Sequence, residues 1–231
     1  MKKLSVKTTQ AELIFGLVYL VLQLLFIPSI LVIVNLILGG PLDETELNFI
    51  YFALNFLCVT VIFHKYLIAC GKISLAAPGK TVVSAVFGYL IYWGLSFFVS
   101  LLILWVYPEF NNVNDTNIEA MVDNNFALMS IGTILLVPVT EEALYRGVIF
   151  QGLHHKSRFW AYAVSALVFC LPHVIGYIGA YSPLHLLLCF IQYLPAGLAL
   201  AWSYERADSI WAPILLHTFV NLTGVGAMIA R

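Results

Sequence analysis

The chain has 231 residues and a formal net charge of −1; 61% of its residues are hydrophobic and only 10% are charged. A soluble globular chain is roughly 45–50% apolar and about 25% charged, because a small domain needs polar side chains to cover its surface. The composition excludes an ordinary soluble enzyme, a disordered chain and a nucleic-acid binder, which would need a basic face. What remains is an integral membrane protein.

A bilayer core of about 30 Å takes roughly 20 apolar residues in helix. In chain order, stretches at 13–38, 48–69, 81–107, 126–150, 160–177, 184–204 and 210–230 satisfy this. The first follows Met1-Lys2-Lys3, which resembles a signal-peptide start. Its apolar run is much longer than the roughly 7–15 residues of a signal core, so it reads as a retained first span. The expected fold is an all-α polytopic transmembrane helix bundle of about seven spans, or eight helices if the long third or fourth stretch is broken. We expect one integral-membrane domain over 1–231.

Basic residues fall in alternate connections. Lys2, Lys3 and Lys7 precede the first stretch, Lys72 and Lys80 follow the second, Lys156 and Arg158 follow the fourth, and Arg206 follows the sixth. The intervening connections carry Asp43, Glu44 and Glu46, then Glu109, Asp115, Glu119 and Asp123, without a basic residue. The positive-inside rule then predicts a multi-pass protein (of the plasma membrane in a bacterial source) with the N-terminus cytoplasmic and the C-terminus outside. Only the terminal Arg231 departs from the pattern. Trp105, Tyr107, Trp160, Tyr162, Trp202, Tyr204 and Trp211 sit at stretch ends, as an aromatic belt would. The segment 108–125 is acidic and Asn-rich and reads as a flexible outer loop; its Asn114-Asp115-Thr116 is a formal glycosylation sequon. Cys58, Cys70, Cys170 and Cys189 read as buried free thiols with no metal-knuckle spacing.

Three charges lie well inside an apolar stretch: Glu141, Glu142 and Arg146. Each costs at least ~2.5 kcal/mol at mid-bilayer unless it is paired or near water. Glu142 and Arg146 are four apart, so they share a helix face and can neutralise each other. Glu141 is rotated by about 100° from Glu142 and has no sequence-local partner. An unpaired carboxylate of this kind is a candidate general base. His173, directly after Pro172, lies four residues after Phe169 in the fifth stretch. His217 lies in the last, with Asn221 one turn later on the same face. Pro138 and Pro172 tend to free the carbonyls of Ile134 and Val168, and irregular backbone at membrane depth is tolerated where it lines a wet cavity. His64, His154, His155 and His185 have no such setting and read as interfacial.

This set lacks a serine or cysteine nucleophile motif, any aspartate inside a stretch and the His-Glu-x-x-His zinc signature. It can activate water. Glu141 can take the proton while His173 orients the water, and His217 and Asn221 can donate to the oxyanion of a tetrahedral intermediate. Alternatively Glu141, His173 and His217 could hold a divalent zinc ion with an open position for water. No other cofactor is favoured.

Glu-Glu-x-x-x-Arg at 141–146, Phe-x-x-x-His at 169–173 and His-x-x-x-Asn at 217–221, in that order, resemble the three motifs of the CPBP family. This is the CAAX-protease and bacteriocin-processing group, also called Abi, which includes the Rce1-type prenyl-protein endopeptidases. The segment Trp211-Ala212-Pro213-Ile214-Leu215-Leu216 before the last motif also looks similar. The resemblance spans about 127–224, which becomes the motif-bearing catalytic core. It implies intramembrane proteolysis near the cytoplasmic side, with Glu141 and His173 activating water and His217 and Asn221 forming the oxyanion hole. Glu142, Arg146 and Phe169 become supporting residues. The implied partners are the lipid bilayer and a peptide or membrane-anchored protein substrate, with no nucleic acid. The alternatives are a non-proteolytic immunity or regulatory protein and a proton-coupled transporter. One distance is awkward: His217 lies about 12 Å from the cytoplasmic start of its stretch and His173 about 20 Å from its own.

Overall fold

The computed structural model describes residues 4–230; Lys2, Lys3 and Arg231 lie outside them. The chain folds as α1 (Gln10–Leu25), α2 (Ile27–Ile37), α3 (Glu44–Ile62), α4 (His64–Ala76), α5 (Pro78–Val106) and α6 (Val113–Asn124). It continues as α7 (Phe126–His154), α8 (Arg158–Ile175), α9 (Pro183–Ala207) and α10 (Trp211–Ile229). No strand forms among the described residues. The all-α polytopic bundle expected from the sequence is the fold.

Six helices are long and apolar enough to cross a membrane: α3, α5, α7, α8, α9 and α10. The stretch expected as one straight first span is instead bent by 51° between α1 and α2, at Phe26. Pro28 at the start of α2 explains the break, since proline cannot donate to the preceding turn. The bent pair still traverses the bundle. Its start is tied to the far end of α7 through Thr8, whose N–H donates to Gln151 Oε1 at 2.7 Å. Its finish leads to Asp43, which accepts from Asn124 at the opposite end. The seven crossings therefore include one broken crossing, and the break falls in the first stretch rather than the third or fourth.

Two further expectations change. The second stretch ends at Phe63, where the chain turns into the separate helix α4. The segment 108–125 is not a flexible loop; most of it is α6, capped by Asn112 and seated through buried Val113, Met121 and Val122. Asn114 is half-buried and donates to Tyr193, so the sequon is not presented as an open acceptor. Trp105 and Trp160 are exposed as belt residues would be, but Tyr204 is buried against the Tyr66 hydroxyl. His154 and His185, in end turns of α7 and α9, are buried within the bundle. His154 meets Glu205 at 3.0 Å, and His185 packs among Tyr107, Phe110 and Tyr181. The four cysteines are free.

Charged connections segregate to two ends of the bundle. The basic end gathers the N-terminal segment, α4, the α7–α8 connection and the α9–α10 turn. Glu12 serves two helices there: it completes the Thr9 capping box of α1 and accepts the Tyr66 N–H in the first turn of α4 at 2.9 Å. Asp208 ends α9 in the left-handed region, the only non-glycine to do so among the described residues. Ser5 holds it there through its N–H at 2.8 Å and its hydroxyl. The acidic end holds α6 and the start of α3, joined by Asn124 donating to Thr45 Oγ1 at 2.8 Å.

The α9–α10 turn is recessed. Ser209, Ile210 and Ala212 are fully buried beneath α4, where Ser209 donates to the Cys70 carbonyl at 2.9 Å and Trp211 Nε1 to that of Leu67 at 3.1 Å. Residue count from Trp211 is therefore not depth from the membrane surface, which removes the awkward offset between His217 and His173.

The most extensive helix pairings are those of α9 with α5 and with α8. Small residues allow this: a Cβ on Gly197 would lie 2.9 Å from the Ala166 Cα. Gly197→Ala should force α8 and α9 apart and cost about 1–3 kcal/mol, read as earlier thermal unfolding in detergent micelles. Gly224→Ala, which meets nothing within 4 Å, should not.

Candidate active site

The site begins with irregular helices. Within α7, the runs Ile131–Leu136 and Tyr145–Phe150 are π-helical and flank the α-helical Val137–Leu144 that carries both glutamates. Such widened turns concentrate at functional sites because they re-aim side chains and release carbonyls. Pro138 lies two residues past the end of the first, where its missing N–H disturbs regular bonding. One released carbonyl is put to use: Thr133 accepts from Asn221 Nδ2 at 2.7 Å. In the second run the Tyr145 carbonyl accepts from Ser165 at 3.1 Å, joining α7 to α8.

In α8, Pro172 acts similarly, with one difference from expectation. The Val168 carbonyl is not left free; it accepts the Leu171 N–H at 3.3 Å. The adjacent Phe169 carbonyl accepts from His173 Nδ1 at 3.1 Å. A carbonyl only accepts, so Nδ1 carries the proton and Nε2 keeps its lone pair. Pro213 lies in the first turn of α10, where it leaves that helix unbroken.

Glu142 and Arg146 pair as their spacing predicts, with Nε 3.1 Å from Oε2 and both side chains wholly buried. Glu142 does more than neutralise Arg146. Its Oε1 accepts from His217 Nδ1 at 2.9 Å. Arg146 also donates through Nη2 to the Gly197 carbonyl at 3.0 Å and lies 5.1 Å from the centre of the Phe169 ring. Phe169 in turn packs edge-on against His217 at 5.8 Å. Glu142 thereby links α7 to α10 and Arg146 links α7 to α8 and α9.

Glu141 faces the other way. Its Oε2 has no hydrogen-bond partner among the described residues and lies 4.0 Å from His217 Nε2. That is too far for a direct hydrogen bond. Glu141, His173, His217 and Asn221 all line one cavity of about 830 Å³, together with Phe169 and Thr133. The structure thus brings together every site residue expected from the sequence, with Glu142 and Arg146 packed behind.

The cavity runs from Glu141 toward the acidic end, where Glu44 and Asp115 border it. Its charged lining among the described residues is acidic throughout. Toward the basic end the path is filled by Tyr66, Tyr145, Phe150 and Tyr204, all buried. The resemblance implied a site near the cytoplasmic side; the cavity opens toward the end that the charge pattern assigns to the outside.

The zinc alternative does not fit this arrangement. Among the described residues, no three His, Cys, Asp or Glu side chains converge as a metal site would require.

Two participants were missed in the sequence. Tyr193 of α9 stacks on His173 with ring centres 4.0 Å apart. Thr133 orients Asn221. A tyrosine beside Gln192 in an apolar stretch was a visible polar signal; nothing in the sequence singles out a backbone carbonyl.

Residues 123–223 match the family model described as Type II CAAX prenyl endopeptidase Rce1-like. The chain is 27% identical over 195 residues to the Bacillus subtilis (strain 168) protein named "Putative membrane peptidase YdiL", covering 79% of this chain and 74% of that one. It is 30% identical over 94 residues to the UPF0177 protein YxdF of Lactococcus lactis subsp. lactis (strain IL1403), covering 41% and 46%. No solved structure matches.

Removing one partner of a buried ion pair strands the other charge, at about 3–5 kcal/mol. Arg146→Ala should therefore lower the unfolding temperature in micelles sharply. Glu141→Gln, which breaks no bond, should leave it near wild type.

Proposed function

We propose, for a chain whose residues 123–223 match the model of the Rce1-like type II CAAX prenyl endopeptidases, that it is an intramembrane endopeptidase whose 127–224 core hydrolyses a peptide bond with activated water. The observation that supports this best is the convergence of Glu141, His173, His217 and Asn221 on one cavity, with Glu142 fixing His217 from behind.

The chemistry follows from the free atoms. Water bound between Glu141 and the lone pair of His173 Nε2 gives a proton to the Glu141 carboxylate as its oxygen adds to the substrate carbonyl carbon. The oxyanion is held by the Asn221 N–H not used by Thr133 and by His217 Nε2. His217 donates through Nε2 only when it carries both ring protons, and Glu142 at Nδ1 holds the ring in place. Glu141 then returns the proton to the leaving nitrogen as the C–N bond breaks. The products are a carboxylic acid and an amine, and no covalent enzyme intermediate forms. No step is routed through a metal.

The substrate is a membrane-associated peptide or protein, processed in the CAAX manner or as a bacteriocin or other leader peptide. Purified protein should cleave members of a peptide library offered with and without a prenyl group, and cleavage should survive a zinc chelator. Glu141→Gln should lower the rate by about 10²–10⁴ and Asn221→Ala by about 10²–10³, with insertion unchanged. Full activity in Glu141→Gln sinks the reading.

The orientation proposed from the charge pattern puts the N-terminus in the cytoplasm, so the cavity opens outward. A cysteine placed at exposed Ala120 should then react with an impermeant maleimide added to intact cells, whereas one at exposed Lys156 should not. The reverse labelling inverts the orientation and turns the cavity mouth to the cytoplasm.

A further inference from the structure

Tyr193 belongs to none of the three motifs, yet its ring lies flat on the His173 imidazole, with an interplanar angle of 29°. Its hydroxyl donates to Asp115 Oδ1 at 2.6 Å and accepts from Asn114 Nδ2 at 3.0 Å. Both partners lie in the first turn of α6. The cap of that helix, Asn112, also donates to the neighbouring Gln192 Oε1 at 2.9 Å. The far end of α6 is tied to α3 through Asn124. A helix that spans the acidic end of the cavity thus grips α9 at the residue that touches His173.

His173 needs such support. Pro172 interrupts α8 immediately before it, and the helix stops two residues later at Ile175. The single bond from Nδ1 to Phe169 leaves the imidazole free to rock about that bond. A flat neighbour on its face removes the freedom, provided the neighbour cannot swing. The short bond from Tyr193 to a carboxylate is of the strong, charge-assisted kind and keeps the tyrosine in place.

We propose that Tyr193, anchored by Asp115, is a positioning residue that fixes the plane of the His173 imidazole and so the direction of Nε2. This rests on the reading of His173 as the water-orienting group. It makes α6 part of the catalytic apparatus although no atom of α6 takes part in the chemistry.

The test uses the full chain in micelles with a cleavable peptide from the library. Misplacing a catalytic group by about 1 Å can cost about 10²-fold. Tyr193→Leu should therefore lower kcat about tenfold or more with KM nearly unchanged. Tyr193→Phe, which keeps the stack but loses the anchor, should lower it about threefold, and Asp115→Asn by a similar factor. The double variant Tyr193→Phe with Asp115→Asn should be little worse than Tyr193→Phe alone, since Asp115 acts on the stack through the Tyr193 hydroxyl. A raised KM at constant kcat would mean that Tyr193 contacts substrate instead, and would overturn the proposal. So would unchanged kcat in Tyr193→Phe and Asp115→Asn, the variants that preserve side-chain volume and fold.

An activity-free measurement separates this inference from the reading it rests on. The ring-carbon NMR signal of His173, assigned by its loss in His173→Gln, should carry the ring-current shift of a stacked tyrosine. It should broaden or move in Asp115→Asn. A signal unmoved by Asp115→Asn overturns the positioning role even if the enzyme cleaves. If the wild-type chain cleaves nothing while the signal moves as expected, the proteolytic reading fails and the coupling of α6 to His173 stands.

Discussion

The structure depends on one carboxylate, that of Glu142, which has no access to solvent or lipid. An isolated charge in such a place would be too costly to keep. Arg146 makes it tolerable on one side and His217 uses it on the other. Because Arg146 also reaches Gly197 on α9 and the Phe169 ring on α8, one ion pair locks together the four helices that carry the site. The same contacts that stabilise the bundle set the orientation of His217. Stability and the site's geometry are in this respect one problem, solved by one pair. Glu141, one residue earlier, is excluded from that pair by helical rotation, and it alone of the two glutamates borders the cavity.

Regular helices could not have produced this site. Three of its polar contacts use carbonyls at irregular turns: Thr133 in the first π-helical run, Tyr145 in the second and Phe169 before the Pro172 break. An apolar membrane interior offers few acceptors, so a buried amide or imidazole must find one on the backbone. Widened or broken turns supply them at the depth where they are required. Proline is the sequence device that opens two of these turns, and in each case the site residue follows or faces the opening.

Much of this was legible because a membrane chain contains so few charges. Each polar residue in an apolar stretch must be explained, and an i to i+4 spacing is enough to put Glu142 and Arg146 on one helix face and His217 and Asn221 on another. The all-helical bundle followed from apolar length alone. What the sequence did not reveal was of two kinds. Breaks depend on local geometry: Pro28 and Pro138 stand beside the 51° bend and the first π-helical run, but a proline does not fix how far a helix bends or widens, and the second run has no proline to mark it. Packing between distant segments was equally hidden. Residues 108–125 are polar enough to read as a loop, but Val113, Met121 and Val122 find apolar partners only once the bundle has assembled. The recessed α9–α10 turn depends on α4 lying over it, which no spacing along the chain expresses.

The asymmetry of the cavity follows from the same packing. On the basic side of Glu141 the bundle is filled by large side chains with no exposure, among them Arg146, Tyr66, Phe150 and Tyr204, and it is closed by hydrogen bonds such as that of Gln151 to Tyr204 at 2.9 Å. On the acidic side the helices diverge. The bend between α1 and α2 places Leu24, Pro28 and Val32 along the cavity wall, and α6 bridges across the opening. That side of the cavity presents both an apolar wall and the carboxylates of Glu44 and Asp115. The cavity ends at the plug of large side chains, beside Glu141, His217 and Asn221. The floor of the cavity is thus set by the buried ion pair and the aromatic side chains packed below it, and Glu141, His217 and Asn221 lie at that depth.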